Sequence, residues 1–216
     1  DDLFTEVDHG PYLVDNNLFL SPTSLRIWSQ GGAYVHNLIA GKVEAKSFDA
    51  RQTPYLKPHS TVLAGLHDNP RGDQRFNNNL LVGRVDLSQF DDSKLPVWMK
   101  GNAFLGGARP SRFETNAIVQ TNFVPALKIA RGANGWFLAM PYAPAWNHDH
   151  PCQSVTTKSL GRAAIPDVAF EHPDGSAIQI NTDYLGRMRK GENPSVGPFA
   201  EISKPDLSIN VWPETK

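Results

Sequence analysis

Leu80-Leu81-Val82-Gly83-Arg84-Val85-Asp86-Leu87 decides how this chain is read. In an extended backbone Leu81, Gly83, Val85 and Leu87 fall on one side, and Leu80, Val82, Arg84 and Asp86 on the other. The period is two, so the segment reads as one strand whose apolar side needs a partner layer. Upstream, Lys42-Val43-Glu44-Ala45-Lys46 alternates in the same way. Val43 and Ala45 face a core there, and the charged residues face water, which describes a half-solvated antiparallel strand. Downstream, Trp136 to Met140 is wholly apolar between Gly135 and Pro141, as in a strand buried on both faces.

Working outward, the seventeen prolines and seventeen glycines are spread so widely that no long helix fits between them. Leu18 to Trp28 reads as two strand pieces around Ser21-Pro22, and Phe113 to Gln120 and Ala126 to Ala130 as further strands. Ser88 to Leu95 suits one or two helical turns, and Tyr184 to Lys190 a short helix. Asp174-Gly175, flanked by Val168 to Glu171 and Ala177 to Asn181, is hairpin-turn chemistry. The chain closes on an alternating strand, Leu207 to Trp212. No internal repeat and no composition break stands out, so residues 1–216 read as a single domain. The expected fold class is all-β, an antiparallel β-sandwich of jelly-roll type with long loops and one or two short helices.

The composition is that of a globular chain, 40% hydrophobic and 20% charged. A formal net charge of −1 supplies no field that would draw nucleic acid or anionic membrane. No apolar stretch approaches the length of a membrane span. Cys152 is the one cysteine, which rules out an internal disulfide and reads as a packed thiol. The start at Asp1, without Met, suits processing from something longer.

Candidate chemistry is sparse. In Asn147-His148-Asp149-His150, His148 and His150 would point the same way on a strand and could both hold a metal. The pattern resembles the His-x-His of cupins, but Pro151 to Leu160 holds no acid to follow it. His172-Pro173-Asp174 lacks the later histidine that an iron site needs. Arg71-Gly72-Asp73 matches the tripeptide of integrin-binding loops and is equally good turn chemistry. Glu44, Asp86, Glu114 and Glu171 sit on expected strands, where acids are usually just solvated. Trp28, Trp98 and Trp136 lie among apolar neighbours, whereas Trp146 and Trp212 are placed for exposure. No nucleophile elbow, phosphate loop or dinucleotide fingerprint occurs. The expectation is therefore no catalytic, cofactor or metal residue, and no enzyme.

The order of the last third, an apolar strand into Met140-Pro141-Tyr142, a long loop, a strand pair and a final strand, resembles the back half of picorna-like virus coat proteins. That resemblance implies a structural subunit of a non-enveloped capsid, released from a polyprotein and assembled in the host cytoplasm into a virion. Its partners would be copies of itself and sister subunits, with weak contact to packaged RNA and none to membrane. Two alternatives stand beside it. One is a secreted carbohydrate-active β-sandwich, a glycan-binding module or glycosidase, with a groove drawn from Tyr142, Trp146, Trp212 and a pair of acids. The other is a metal-dependent β-barrel enzyme using His148 and His150.

Overall fold

The computed structural model describes residues 1–141, 152–189, 193–200 and 206–213. Short strands wind into stacked coils, each pairing in parallel with its counterpart in the next coil. One sheet holds β1 (Leu3–Glu6), β4 (Thr23–Trp28) and β7 (Lys42–Ala45). A second holds β2 (Tyr12–Asp15), β5 (Gly32–Val35), β10 (Gln74–Asn77), β12 (Val97–Lys100) and β14 (Glu114–Thr115). The third holds β3 (Leu18–Phe19), β6 (Leu38–Ile39), β11 (Leu80–Val82), β13 (Ala103–Leu105) and β15 (Ile118–Gln120). Every pairing within these sheets is parallel, as in β2 on β5, where Tyr12 meets Gly32 and Asp15 meets Val35. This is a parallel β-helix. The all-β class holds, and the antiparallel jelly-roll sandwich is corrected.

The corner between the second and third sheets explains the winding. Its first residue is left-handed in successive coils: Asn16, His36, Asn78, Gly101 and Asn116 have φ between 54° and 69°. Asn and Gly tolerate that region best. The next residue is Asn17, Asn37, Asn79 or Asn102, and these four stack as a ladder. The backbone N–H of each asparagine donates to the Oδ1 of the next, at 2.9 Å throughout. Each Nδ2 donates to that same Oδ1, at 2.9–3.1 Å. The buried amides of Asn37, Asn79 and Asn102 are thus hydrogen-bonded on both sides, as a dry interior requires. Glu114 ends the ladder, accepting from Asn102 Nδ2 at 2.6 Å.

Apolar residues fill the inside of the helix and cover the outer faces of the second and third sheets. Leu25, Ile27, Tyr34, Phe76, Leu81, Met99 and Phe104 pack inside the helix. Leu38, Leu80, Val82 and Leu105 face outward, yet they are buried under Leu138, Met140, Phe199 and Val211. Those covering residues belong mainly to an antiparallel sheet of β16 (Lys128–Gly132), β17 (Gly135–Pro141) and β20 (Asp206–Pro213). The outer face of the second sheet is covered by Val155, Leu160, Phe170 and Ile178. Leu160 ends α1 (Thr157–Leu160), and the short pair β18 (Arg162–Ala163) and β19 (Val168–Ala169) follows. The first sheet keeps a polar outer face, where Lys46 lies 4.2 Å over Trp28 and Trp28 meets Phe4 edge-on.

Several local expectations change. Leu80 to Leu87 is not one strand, because β11 stops at Val82 and Gly83 turns the chain at φ 68°. Lys42–Ala45 is a half-solvated strand, but its neighbour β4 runs parallel. Trp136 to Met140 lies in a strand with Leu138 and Met140 buried, while Trp136 is 42% exposed. The Asp174-Gly175 turn forms, with Gly175 N–H donating to the His172 carbonyl at 2.8 Å, but only the bridge Glu171–Ala177 flanks it. Ser88–Phe90 is a 3₁₀ turn, and Tyr184 to Arg189 is turn and bridge rather than helix.

Candidate functional site

The corner between the first and second sheets is built differently. After β1 the chain turns through Val7-Asp8-His9-Gly10-Pro11. Gly10 and the equivalent Gly31 of the next coil touch back to back; a Cβ on Gly10 would lie 2.4 Å from the Gly31 carbonyl oxygen. That close approach and a φ of 66° require glycine at position 10. It leaves Asp8 and His9 side by side on the outer surface of the turn.

An antiparallel hairpin, β8 (Phe48–Leu56) and β9 (Leu63–Pro70), leaves the β-helix after β7 and leans over this corner. His9, 2% exposed, fastens it. Its Nδ1 lies 2.9 Å from Gln30 Oε1, and its Nε2 lies 2.8 Å from Thr53 Oγ1 in β8. Nε2 also lies 3.3 Å from the Thr53 carbonyl, so the ring bridges Gln30 and the hairpin. Thr53 Oγ1 then accepts from Asn69 Nδ2 in β9 at 3.2 Å. Tyr55 and His67 meet the His9 ring edge-on, at 6.0 and 5.8 Å between centroids.

Between corner and hairpin lies a cavity of about 320 Å³, lined by Asp8, His9, Tyr55, Lys57 and His59 among others. Asp8 Oδ1 accepts from the Gly10 N–H at 2.9 Å. Burial lifts the Asp8 carboxyl above the usual carboxylate range, against smaller opposing effects of Ser29, Gly10 and His9. His59 faces two acceptors, Glu171 Oε1 at 2.7 Å and the Pro173 carbonyl at 3.1 Å. Two acceptors call for two ring protons, and the Glu171 carboxylate raises the His59 pKa accordingly. The cavity therefore combines a partly desolvated acid, an imidazole, an ammonium and a phenol ring.

The residues singled out by sequence lie mostly elsewhere. Glu171 reaches the cavity rim through His59. Glu44 pairs with Arg26 on the outer face of the first sheet, Asp86 bonds the Ser88 turn, and Glu114 caps the ladder. Asp73 of Arg71-Gly72-Asp73 is fully buried, paired with Arg75 at 2.7 Å, so this tripeptide is not displayed. Trp98 lies 4.2 Å under the Arg75 guanidinium. Trp136 and Trp212 oppose each other across β17 and β20 and line an apolar groove of about 410 Å³ with Leu18, Leu20 and Tyr184. Cys152 is packed, and burial pushes its thiol up to about 12. His172 stands in no cluster of metal-ligating residues among the described residues. Tyr142, Trp146, His148 and His150 lie outside the described residues.

Asp8, His9, Tyr55, Lys57 and His59 escaped the sequence reading. The available signal was Val7-Asp8-His9-Gly10-Pro11, polar chemistry set directly before the turn formers Gly10 and Pro11.

No known protein family and no curated protein matches the chain. A solved structure described as the complex structure of XylC with xylose does match, with a TM-score of 0.91 at 34% sequence identity. The match covers 97% of this chain and 37% of that one, so the chain spans little more than a third of that protein's length. This overturns the capsid reading. With it fall the virion, the cytoplasmic assembly, the sister subunits and the packaged RNA, because the chain shares its backbone with a protein solved with a bound sugar rather than with a coat subunit.

Proposed function

We propose that this chain belongs to a carbohydrate-active protein and that the cavity between the Asp8–His9 corner and the β8–β9 hairpin holds a sugar. The observation that carries the reading is the superposition at TM-score 0.91 on a protein solved with xylose. The cavity supports it chemically. Its volume of about 320 Å³ lies at the small end of ligand sites and suits a monosaccharide. Asp8 and Lys57 offer an acceptor and a donor for hydroxyl groups, and the Tyr55 ring offers an apolar face to sugar C–H bonds.

Titration of xylose and short xylo-oligosaccharides, followed by NMR, tests the site. Resonances of the Asp8–Pro11 corner and of Tyr55 should move. Tyr55→Ala and Asp8→Asn should each weaken binding by about tenfold, the equivalent of one lost polar or stacking contact. Sugars that leave these resonances unmoved, or that move a different face, defeat the proposal.

A hydrolytic role draws on one further observation. Asp8 opens to the cavity while burial holds its carboxyl above the usual range, and a general acid needs that property. Release of nitrophenol from an aryl xyloside, abolished in Asp8→Asn, is the corresponding assay.

A further inference from the structure

We infer that His59 limits the length of saccharide the cavity takes, by fastening the hairpin tip to the covering segment at the end away from Asp8. The inference rests on the sugar reading of this cavity and adds the residue that bounds the ligand.

Beyond the corner, two walls line the cavity. One is the hairpin, from Pro54 to His59, and the other is Val168 of β19. His59 spans the gap between them. Its Nε2 faces Glu171 Oε1 at 2.7 Å, and its Nδ1 faces the Pro173 carbonyl at 3.1 Å, both just past Val168 in the chain. The hairpin is thus fastened twice, at Thr53 to the corner and at His59 to the covering segment. A ligand seated on Asp8 that extends toward the tip meets this second fastening.

Its two sides are built unequally. Glu171 and Pro173 belong to a turn that satisfies itself. Asp174 Oδ1 accepts from the Ser176 N–H at 2.9 Å and from its hydroxyl at 2.6 Å, and the Gly175 N–H closes on the His172 carbonyl. Phe170, just ahead of the turn, is buried. Its carbonyl accepts from Thr157 Oγ1 at 2.5 Å, and its ring lies 4.8 Å from the Arg75 guanidinium. The Asp174-Gly175 turn is therefore a fixed post. The hairpin tip is not packed in this way, since Leu56, Val62 and Leu63 are 45–55% exposed. The imidazole ties tip to post, on a residue held at φ 50°. A histidine keeps that left-handed backbone where its surroundings fix it.

The fastening needs a proton. Both ring nitrogens face acceptors, and a neutral imidazole can donate to only one of them. The Glu171 bond raises the His59 pKa against a smaller desolvation effect, and Asp174 adds to it. Lys57 stands on the same element, with Arg162 facing Glu171 and His172 facing Asp174 from the covering segment. The fastening is therefore complete below the ordinary imidazole range and is lost as pH rises through the raised value.

Titration of xylose and xylotriose, read from the resonances of Asp8 to Pro11, tests the limit. At about pH 5.5 xylose should bind about tenfold more tightly than xylotriose. A half-exposed ion pair acts modestly, so raising the pH to about 9 should cut that preference by about three- to fivefold. Glu171→Gln at the lower pH should do the same, and the pH series in the unmodified protein stands without any variant. Asp8 holds the end shared by both sugars, so the ratio isolates His59. A ratio that ignores both changes while xylose still binds, or a xylotriose that binds more tightly at the lower pH, overturns the length limit alone. A corner that no sugar moves overturns the sugar reading, and the length limit with it.

Discussion

Set side by side, the two corners of the β-helix put the same kinds of residue to opposite uses. At the corner between the second and third sheets, polar side chains point inward. Asn37, Asn79 and Asn102 spend their hydrogen bonds on one another, on Asn17 and Glu114, and on the backbone. At the corner between the first and second sheets, Asp8 and His9 point outward. His9 is also fully bonded, but to a hairpin from a different part of the chain, and the bond holds a cavity open beside it. A repeat that satisfies itself builds a scaffold; a repeat that borrows its partner from an insertion builds a site.

Breaking the inward corner should have the largest effect. Asn79→Ala removes a side chain that bonds Asn37, Asn102 and the Tyr34 carbonyl. Several buried groups lose their partners at once, so urea unfolding should show a loss of about 3–4 kcal/mol. An Asn79→Ala protein within about 1 kcal/mol of the parent would mean the ladder is ornamental.

The last rung gives a pH signature of the inward corner. Burial raises the Glu114 carboxyl to about 7, with the Asn102 bonds opposing. The folded chain then holds this proton more tightly than the unfolded chain. Its stabilising contribution is complete below the ordinary glutamate range and is lost as pH rises through about 7. The loss is at most about 3.5 kcal/mol on a scale of about 1.4 kcal/mol per unit. Glu114→Gln should flatten the stability profile between those limits; an unchanged slope would assign it to other groups.

The outward corner should respond locally. Thr53→Val keeps the shape of the side chain and deletes the hydroxyl between His9 and Asn69. Global stability should fall by only about 1 kcal/mol. Amide exchange in β8 and β9 should speed up by about tenfold while the ladder strands stay unchanged. Equal acceleration in both regions would show that the two corners are one cooperative unit.

The sequence carried more of the scaffold than was drawn from it. Asn17-Leu18, Asn37-Leu38, Asn79-Leu80 and Asn102-Ala103 mark one corner in successive coils, and the chain does repeat. The repeat hides because the hairpin stretches one interval to 42 residues, against 20 and 23 for its neighbours. Alternation was legible at Lys42–Ala45 because the outer face of the first sheet is solvated. At Leu80–Val82 it failed, since covering layers bury both faces. Alternation also says nothing about strand direction, which is how half-buried strands became an antiparallel sandwich. The candidate site was out of reach for a different reason: His9 and Thr53 are 44 residues apart and meet only through the insertion.

The rungs at Asn37 and Asn79 are joined by the same 2.9 Å hydrogen bond as the others, although the polypeptide between them is nearly twice as long. The core is blind to what is spliced into the loop between two turns of the helix. The wall over the cavity can therefore be lengthened, shortened or resculpted while the framework below stays in register.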